Sequence, residues 1–489
     1  MTVDAVRSGS ADVRGDDAAV AWHFRVFTVM WVIAAWFHLW NQVPWPKKVW
    51  WTPDPGQWAL EAALVAAGFA VLALPGRPSA FAAFVTLEAL HGLLDAPRVA
   101  NHWYLTMLQA LVWVGAAVAV VRRDGALDAA AWLRHAAPGA RAVLWCGYSF
   151  AAFAKLNTDF LDPAVSCAST TWVHIGRDSF HWLPQGWFWE VNAIVVTVVV
   201  ELLIPVLLAW PGRRHWGVLL GLGFHYLISI PPQLHVPDFA WMLFATWWLF
   251  LPTDVSARLH ARLAGLSSLF PALTSARVLA LLLPVACVHL GWFAYGPATD
   301  RVTNLLFGLR MIVFALLGMG WITLLLLSWR DERGEIGDIG PAFALRGPWQ
   351  VVLVVVVLIS GLSPYVGLRT RANFSMFSNL RTEEHRPNHL LMPQFYLTDH
   401  QLNLVEVVSS TSRRLDEVRD RKTKITWWEL RYLAGQEPDA SVTIRQDGAD
   451  LTIPRLGDHP ELSVPHGFLE RHFLVYRPVD VGEASTCQW

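Results

Sequence analysis

Eleven apolar runs, near residues 22–42, 57–75, 79–95, 103–121, 139–155, 189–210, 215–231, 238–252, 276–295, 305–328 and 349–363, constrain this chain more than any motif in it. About 20 such residues in a helix cross the roughly 30 Å of hydrocarbon in a bilayer. A backbone in lipid must satisfy its own hydrogen bonds, so repeated runs of this kind predict a helical bundle. With 54% hydrophobic and 16% charged residues over 489 positions, charge is too sparse for a soluble protein of this length. A net charge of −1 gives no electrostatic footprint for nucleic acid. The fold class expected is an all-α polytopic membrane protein of about 9–11 transmembrane helices, with a small extracytoplasmic α+β C-terminal tail.

Arginine sets the expected orientation. Arg77, the group Arg122, Arg123, Arg134 and Arg141, the pair Arg213 and Arg214, then Arg258, Arg262 and Arg277, and Arg330, Arg333 and Arg346 fall in alternate loops. By the positive-inside rule this puts residues 1–20 in the cytoplasm and everything after 363 outside. No removable signal peptide is read in the first twenty residues, and the first span is expected to act as an uncleaved signal anchor. The expected division is a cytoplasmic segment 1–20, a transmembrane domain 21–363 and an extracytoplasmic domain 364–489. In the last, Ser441–Arg445 and Leu451–Arg455 flank a Gly-containing loop and predict a β-hairpin. Thr426–Leu433 predicts a short helix capped by Thr426, and the tail is expected to pack on the helix ends. No Walker, GxGxxG, GxSxG or HExxH motif occurs, and no Cys/His spacing indicates a metal site. Cys167 and Cys487 both fall on the outer side, but spacing alone does not establish a disulfide between them.

Polar residues within or beside the spans are the candidates for chemistry. Lys155 ends an apolar run and opens Lys-Leu-Asn-Thr-Asp-Phe-Leu-Asp-Pro. It either snorkels to water or is held by partners, and a partly desolvated amine is a competent general base. Asn157 and Asp159 within about one turn favour the second account, with Asp159 orienting Lys155. His225, between Phe224 and Tyr226, sits at the outer end of its span, where an aromatic-walled pocket is expected. His102 opens another span in Asn101-His102-Trp103-Tyr104 at matching depth, so the three are expected to converge. His174, His181 and His235 lie on the same face, and Trp103 and Trp172 are candidates to line the pocket. Glu61, Glu88 with His91, and Glu201 form either a proton path or, the favoured reading, interhelical pairs, with Glu201 expected to hydrogen-bond near the backbone freed by Pro205.

Phe153-Ala154-Lys155-Leu156-Asn157-Thr158-Asp159-Phe160-Leu161 resembles the Lys-Leu-x-x-Asp-Trp segment of the vitamin K-dependent γ-glutamyl carboxylase family and of the wider bacterial HTTM ("horizontally transferred transmembrane") family. Asn101-His102 and Phe224-His225 resemble that family's Asn-His and Phe-His. Asn373-Phe374-Ser375-Met376-Phe377-Ser378-Asn379-Leu380, followed by Asn388-His389-Leu390-Leu391, resembles a post-membrane signature of bacterial members. The resemblance spans roughly residues 20–395.

It implies a carbon–carbon lyase coupled to quinol oxygenation at the bacterial cell membrane. The lysine matching Lys155 deprotonates a reduced naphthoquinone (vitamin K or menaquinol type) and O2 adds. The strong base formed takes a γ-proton from a glutamate of an exported protein or peptide, and CO2 is captured. The histidine matching His102 supports the oxygenated species, and the one matching His225 lies in the same site. Implied partners are the lipid bilayer, a membrane quinol and an exported protein or peptide. Asn157 and Phe160 depart from the carboxylase's Asp and Trp, and a short tail replaces its propeptide-recognising portion. The alternative reading is a non-catalytic member acting as a maturation or partner-binding factor for an exported protein. A transporter is disfavoured, since no paired interrupted helices occur in matching halves.

Overall fold

The computed structural model describes residues 3–41, 55–230, 236–269, 300–328, 341–482 and 484–487. The helices run α1 (Val3–Asn41), α2 (Pro55–Ala73), α3 (Pro78–Asp95), α4 (Asn101–Asp124), α5 (Ala129–Phe153), α6 (Thr158–Leu161), α7 (Cys167–Asp178), α8 (Trp187–Ala209), α9 (Arg214–Ile228), α10 (Pro237–Trp248), α11 (Thr253–Leu269), α12 (Asp300–Ser328) and α13 (Pro348–Leu362). Among the described residues, five stretches are long and apolar enough to cross a membrane: Asp17–Leu39, Asn101–Asp124, Trp187–Ala209, Gly308–Ser328 and Pro348–Val366. They coincide with five of the eleven predicted runs. The run 276–295 lies outside the described residues, and the others fall on helices that are shorter or carry charge. This is a helical membrane protein with a sheet-bearing tail.

The centre of the bundle is α10, which lies along α1. All twelve of its residues are buried. At 1.5 Å per residue it is about 18 Å long, so it begins and ends inside the protein. Carbonyls at such an end need partners that water cannot supply. His23 Nε2 lies 3.0 Å from the Trp248 carbonyl, and Arg141 Nε donates to the Leu249 carbonyl at 2.7 Å. Arg141, expected among the inner-loop arginines, is therefore a fully buried residue of α5. Around α10 the core is aromatic: Phe24, Phe27, Phe81, Trp113 and Trp132 meet ring to ring.

After α13 a 3₁₀ turn, Ser363–Val366, leads into an irregular segment on the helix ends. Its residues Ala372, Phe374, Phe377 and Asn379 all have left-handed backbones. Such strain persists only where neighbours over-determine it. Here the Asn101 carboxamide oxygen accepts from the Asn373 and Phe374 N–H groups, and Asn157 Nδ2 donates to the Ser378 carbonyl at 2.5 Å.

The tail is an antiparallel sheet of β1 (Leu404–Ser410), β2 (Thr423–Thr426), β3 (Val442–Gln446), β4 (Ala449–Ile453) and β5 (Val479–Asp480), in the order β4-β3-β1-β2-β5. Helix α14 (Arg413–Asp420) precedes β2, α15 (Trp427–Gln436) follows it, and α16 (Phe468–Phe473) precedes β5. The hairpin β3–β4 turns at Asp447-Gly448, both with positive φ, as a two-residue turn requires. Thr426 caps α15 by accepting from the Glu429 N–H. This unit also has a core of its own, including Val405, Leu430 and Ile444, where packing on the helix ends alone was expected to hold it. It docks through Arg98, which pairs with Glu429 at 3.0 Å and lies 3.4 Å over the Tyr432 ring. It is also stapled by a Cys167–Cys487 disulfide that spacing alone did not reveal.

Candidate functional site

The Asn157 side chain turns the chain at the end of α5. Its oxygen accepts from the Phe160 N–H at 2.8 Å and caps α6, while Nδ2 donates to the Ala154 carbonyl at 2.7 Å. That turn sends Lys155 back alongside α5. Its ammonium meets Glu201 Oε2 at 2.8 Å and lies 3.2 Å from the Ala151 and 3.4 Å from the Met376 carbonyl. Lys155 and Glu201 side chains are only 5% and 8% exposed, so this lysine does not snorkel.

The pair lines a half-open pocket of about 620 Å³, open solvent at its mouth included. Tyr148 and His225 also line it, the phenol oxygen 2.9 Å from His225 Nε2. His225 Nδ1 is buried with no hydrogen-bond partner among the described residues. The remaining wall is mostly apolar, with Phe160, Phe224, Phe239 and Phe377 around it. Met376 and Phe377 come from the strained segment, and Cys167 from the disulfide.

Of the residues singled out from sequence, Lys155, His225 and Phe224 share this cavity. His102 does not line it. Its Nε2 lies 2.9 Å from Asp238 Oδ2, and the same oxygen lies 2.9 Å from His38 Nδ1. The Phe239 ring contacts His102 at 5.7 Å and His225 at 5.3 Å, and so stands between the two groups. Asn101 holds the strained segment, and Trp103 stacks on His38 at 3.8 Å. Asp159 does not orient Lys155: its Oδ2 accepts from the Ser485 N–H at 2.7 Å, because the Asn157 cap turns it toward the tail. Trp172 donates to the Pro184 carbonyl, outside the cavity wall. Tyr226 points to α12, donating to the Ala315 carbonyl. His235 lies outside the described residues.

Glu201 is bound to Lys155 rather than to backbone near Pro205. His91 lies 3.6 Å from Glu61 and 3.5 Å from Asp95, and Glu88 accepts from the Trp31 indole at 2.6 Å. Sequence reasoning did not single out Tyr148, His38 or Asp238. The last two carried a usable signal, being ionisable residues in apolar surroundings. No family model, curated protein or solved structure matches the chain.

Proposed function

We propose that this protein is an integral membrane enzyme of the vitamin K-dependent carboxylase type, with Lys155 as the base acting on a reduced naphthoquinone. The observation that carries the reading is the cavity itself. It is an aromatic-lined space in which one amine–carboxylate pair and one phenol–imidazole pair supply the principal polar groups. The fit to a quinol rests on two features. The phenylalanine rings offer faces to a flat bicyclic ring, and the orphaned His225 Nδ1 needs a polar partner such as a ligand hydroxyl.

A bound naphthoquinol supplies the oxidisable hydroxyls that react with O2. Glu201 at 2.8 Å first takes the proton of the Lys155 ammonium, and the neutral amine then accepts a proton from a hydroxyl within its reach. Tyr148 holds His225 Nε2, leaving Nδ1 to orient the ligand. The apolar wall excludes water that would quench a strong base. Glutamate of an exported protein or peptide, with CO2, is the acceptor chemistry that the resemblance supplies.

We read the cavity and tail as extracytoplasmic and the N-terminus as cytoplasmic, in a bacterial cell membrane crossed about 9–11 times. The arginine pattern and the disulfide, a bond of oxidising compartments, both support that orientation. A second reading draws on the same ion pair. With its ammonium held by Glu201 and two carbonyls, Lys155 is also what a structural pin in a non-catalytic maturation factor would look like. Purified protein in liposomes, given reduced menaquinone and O2, separates the two. The enzyme forms the epoxide and Lys155→Ala abolishes it at unchanged expression. Wild-type protein without turnover, or turnover that survives Lys155→Ala, refutes the catalytic role.

A further inference from the structure

Behind Phe239, outside the Lys155 cavity, three helices bring a second set of polar groups together. His38 comes from the last turn of α1, His102 from the first turn of α4 and Asp238 from the first turn of α10. One atom from each, His38 Nδ1, His102 Nε2 and an Asp238 oxygen, lies within 4.8 Å of the others. We propose that His38, His102 and Asp238 form a binding site for a divalent first-row transition metal ion of the Zn²⁺ or Fe²⁺ class. The inference rests on this geometry alone and stands whether or not the quinol reading does.

The donor set is the first argument. Two imidazoles and one carboxylate are borderline ligands that suit Zn²⁺ and Fe²⁺ better than Mg²⁺ or Ca²⁺, which take oxygen. Three protein ligands also leave at least one coordination position for water or a small ligand. The second argument is orientation. A ligand set is built when outer groups fix its rings and carboxylate. Trp103 stacks on His38 with the planes 9° apart, and the Phe239 N–H donates to Asp238 Oδ1 at 2.9 Å, aiming Oδ2 at the imidazoles. The third is burial. Asp238 and His38 are 2% and 5% exposed, so the carboxylate is sheltered from competing water.

One feature opposes the ion. Arg310 on α12, itself buried, is electrostatically coupled to Asp238. The guanidinium charge is felt at Asp238 and opposes an incoming cation, so Arg310→Gln is expected to tighten binding.

The test uses the full chain, purified in detergent, stripped with chelator and reloaded separately with Zn²⁺, Co²⁺ and, without oxygen, Fe²⁺. Bound metal is counted by elemental analysis, and Co²⁺ is read by visible absorption. The expected result is about one equivalent per chain with a four- or five-coordinate Co²⁺ spectrum. Affinity should fall at least tenfold in Asp238→Asn and His38→Gln and stay unchanged in His225→Gln, which lies across Phe239. Gel filtration and the intact Cys167–Cys487 bond report folding. If Asp238→Asn misfolds, His102→Gln and the Arg310→Gln gain supply the same readout. Folded wild-type protein that takes up none of the three ions refutes the site and leaves a hydrogen-bonded His–Asp–His cluster. Equal uptake by wild type and Asp238→Asn refutes it too.

Discussion

Replacing Lys155 with methionine keeps much of the side chain's length and removes its charge, leaving the Glu201 carboxylate 8% exposed with its cation gone. The 2.8 Å contact is short, and both side chains are nearly fully buried. Breaking a buried pair from one side costs about 3–5 kcal/mol, because the remaining charge is stranded; exchanging both partners for apolar residues is often neutral or stabilising. Lys155→Met and Glu201→Leu are therefore each expected to lose about 3–5 kcal/mol, while the double variant loses less than either single one. The assay is denaturant unfolding in mixed micelles followed by tryptophan fluorescence. Single variants within about 1 kcal/mol of wild type and strictly additive would mean that the lysine reaches water, as an exposed pair would. The whole account of the site would then fail.

Other expectations follow from single contacts. Tyr148→Phe removes the phenol 2.9 Å from His225 Nε2 and should cost about 0.6–1.7 kcal/mol, the range for interhelical hydrogen bonds in membranes, in the same unfolding assay. Cys487→Ser frees the tail from α7 and should cost about 2–5 kcal/mol, while non-reducing peptide mapping of wild type should recover Cys167 joined to Cys487. In the tail, burial opposes the Glu384 charge, but Lys424 at 2.6 Å and Arg381 at 2.7 Å outweigh it and hold that carboxyl below its usual range. A lowered folded value stabilises above the unfolded value of about 4.5 and is lost as pH falls through the folded one. Acid unfolding of the tail should thus shift to higher pH in wild type than in Glu384→Gln compared at matched neutral stability, because only wild type loses this contribution on acidification, and identical acid limbs would refute the linkage. Gly361→Ala places a Cβ within 2.2 Å of the Phe150 ring and should cost about 1–3 kcal/mol through forced separation of α13 from α5, read by unfolding midpoint.

What local sequence could tell about this protein ends where helices meet. Hydropathy located the helices because a rise of about 1.5 Å per residue and the bilayer thickness act on contiguous residues. The capped α15 and the Asp447-Gly448 hairpin were legible for the same reason, since turn and cap chemistry is local. Lys155 stood out by its apolar surroundings, but its partner lies on another helix, and Asp159 was a nearer and wrong candidate. The deciding residue was Asn157, whose cap reverses the chain and turns Asp159 toward Ser485. His102 was placed at the right depth, yet depth does not fix azimuth, and Phe239 divides it from His225. The burial of α10 was hidden by its resemblance to an ordinary span; only its twelve-residue length and the capping of its end by His23 and Arg141 mark it as interior.

The disulfide has a consequence for how the protein is made. Cys167 forms part of the cavity wall, and its partner follows it by 320 residues. The bundle is therefore inserted, helix by helix, while this wall is still unfastened. Sealing waits until Cys487 has been made and has met an oxidant. A chain stalled before Cys487 carries Lys155 and Glu201 but not the latch, so the fastened wall reports that synthesis has passed that residue.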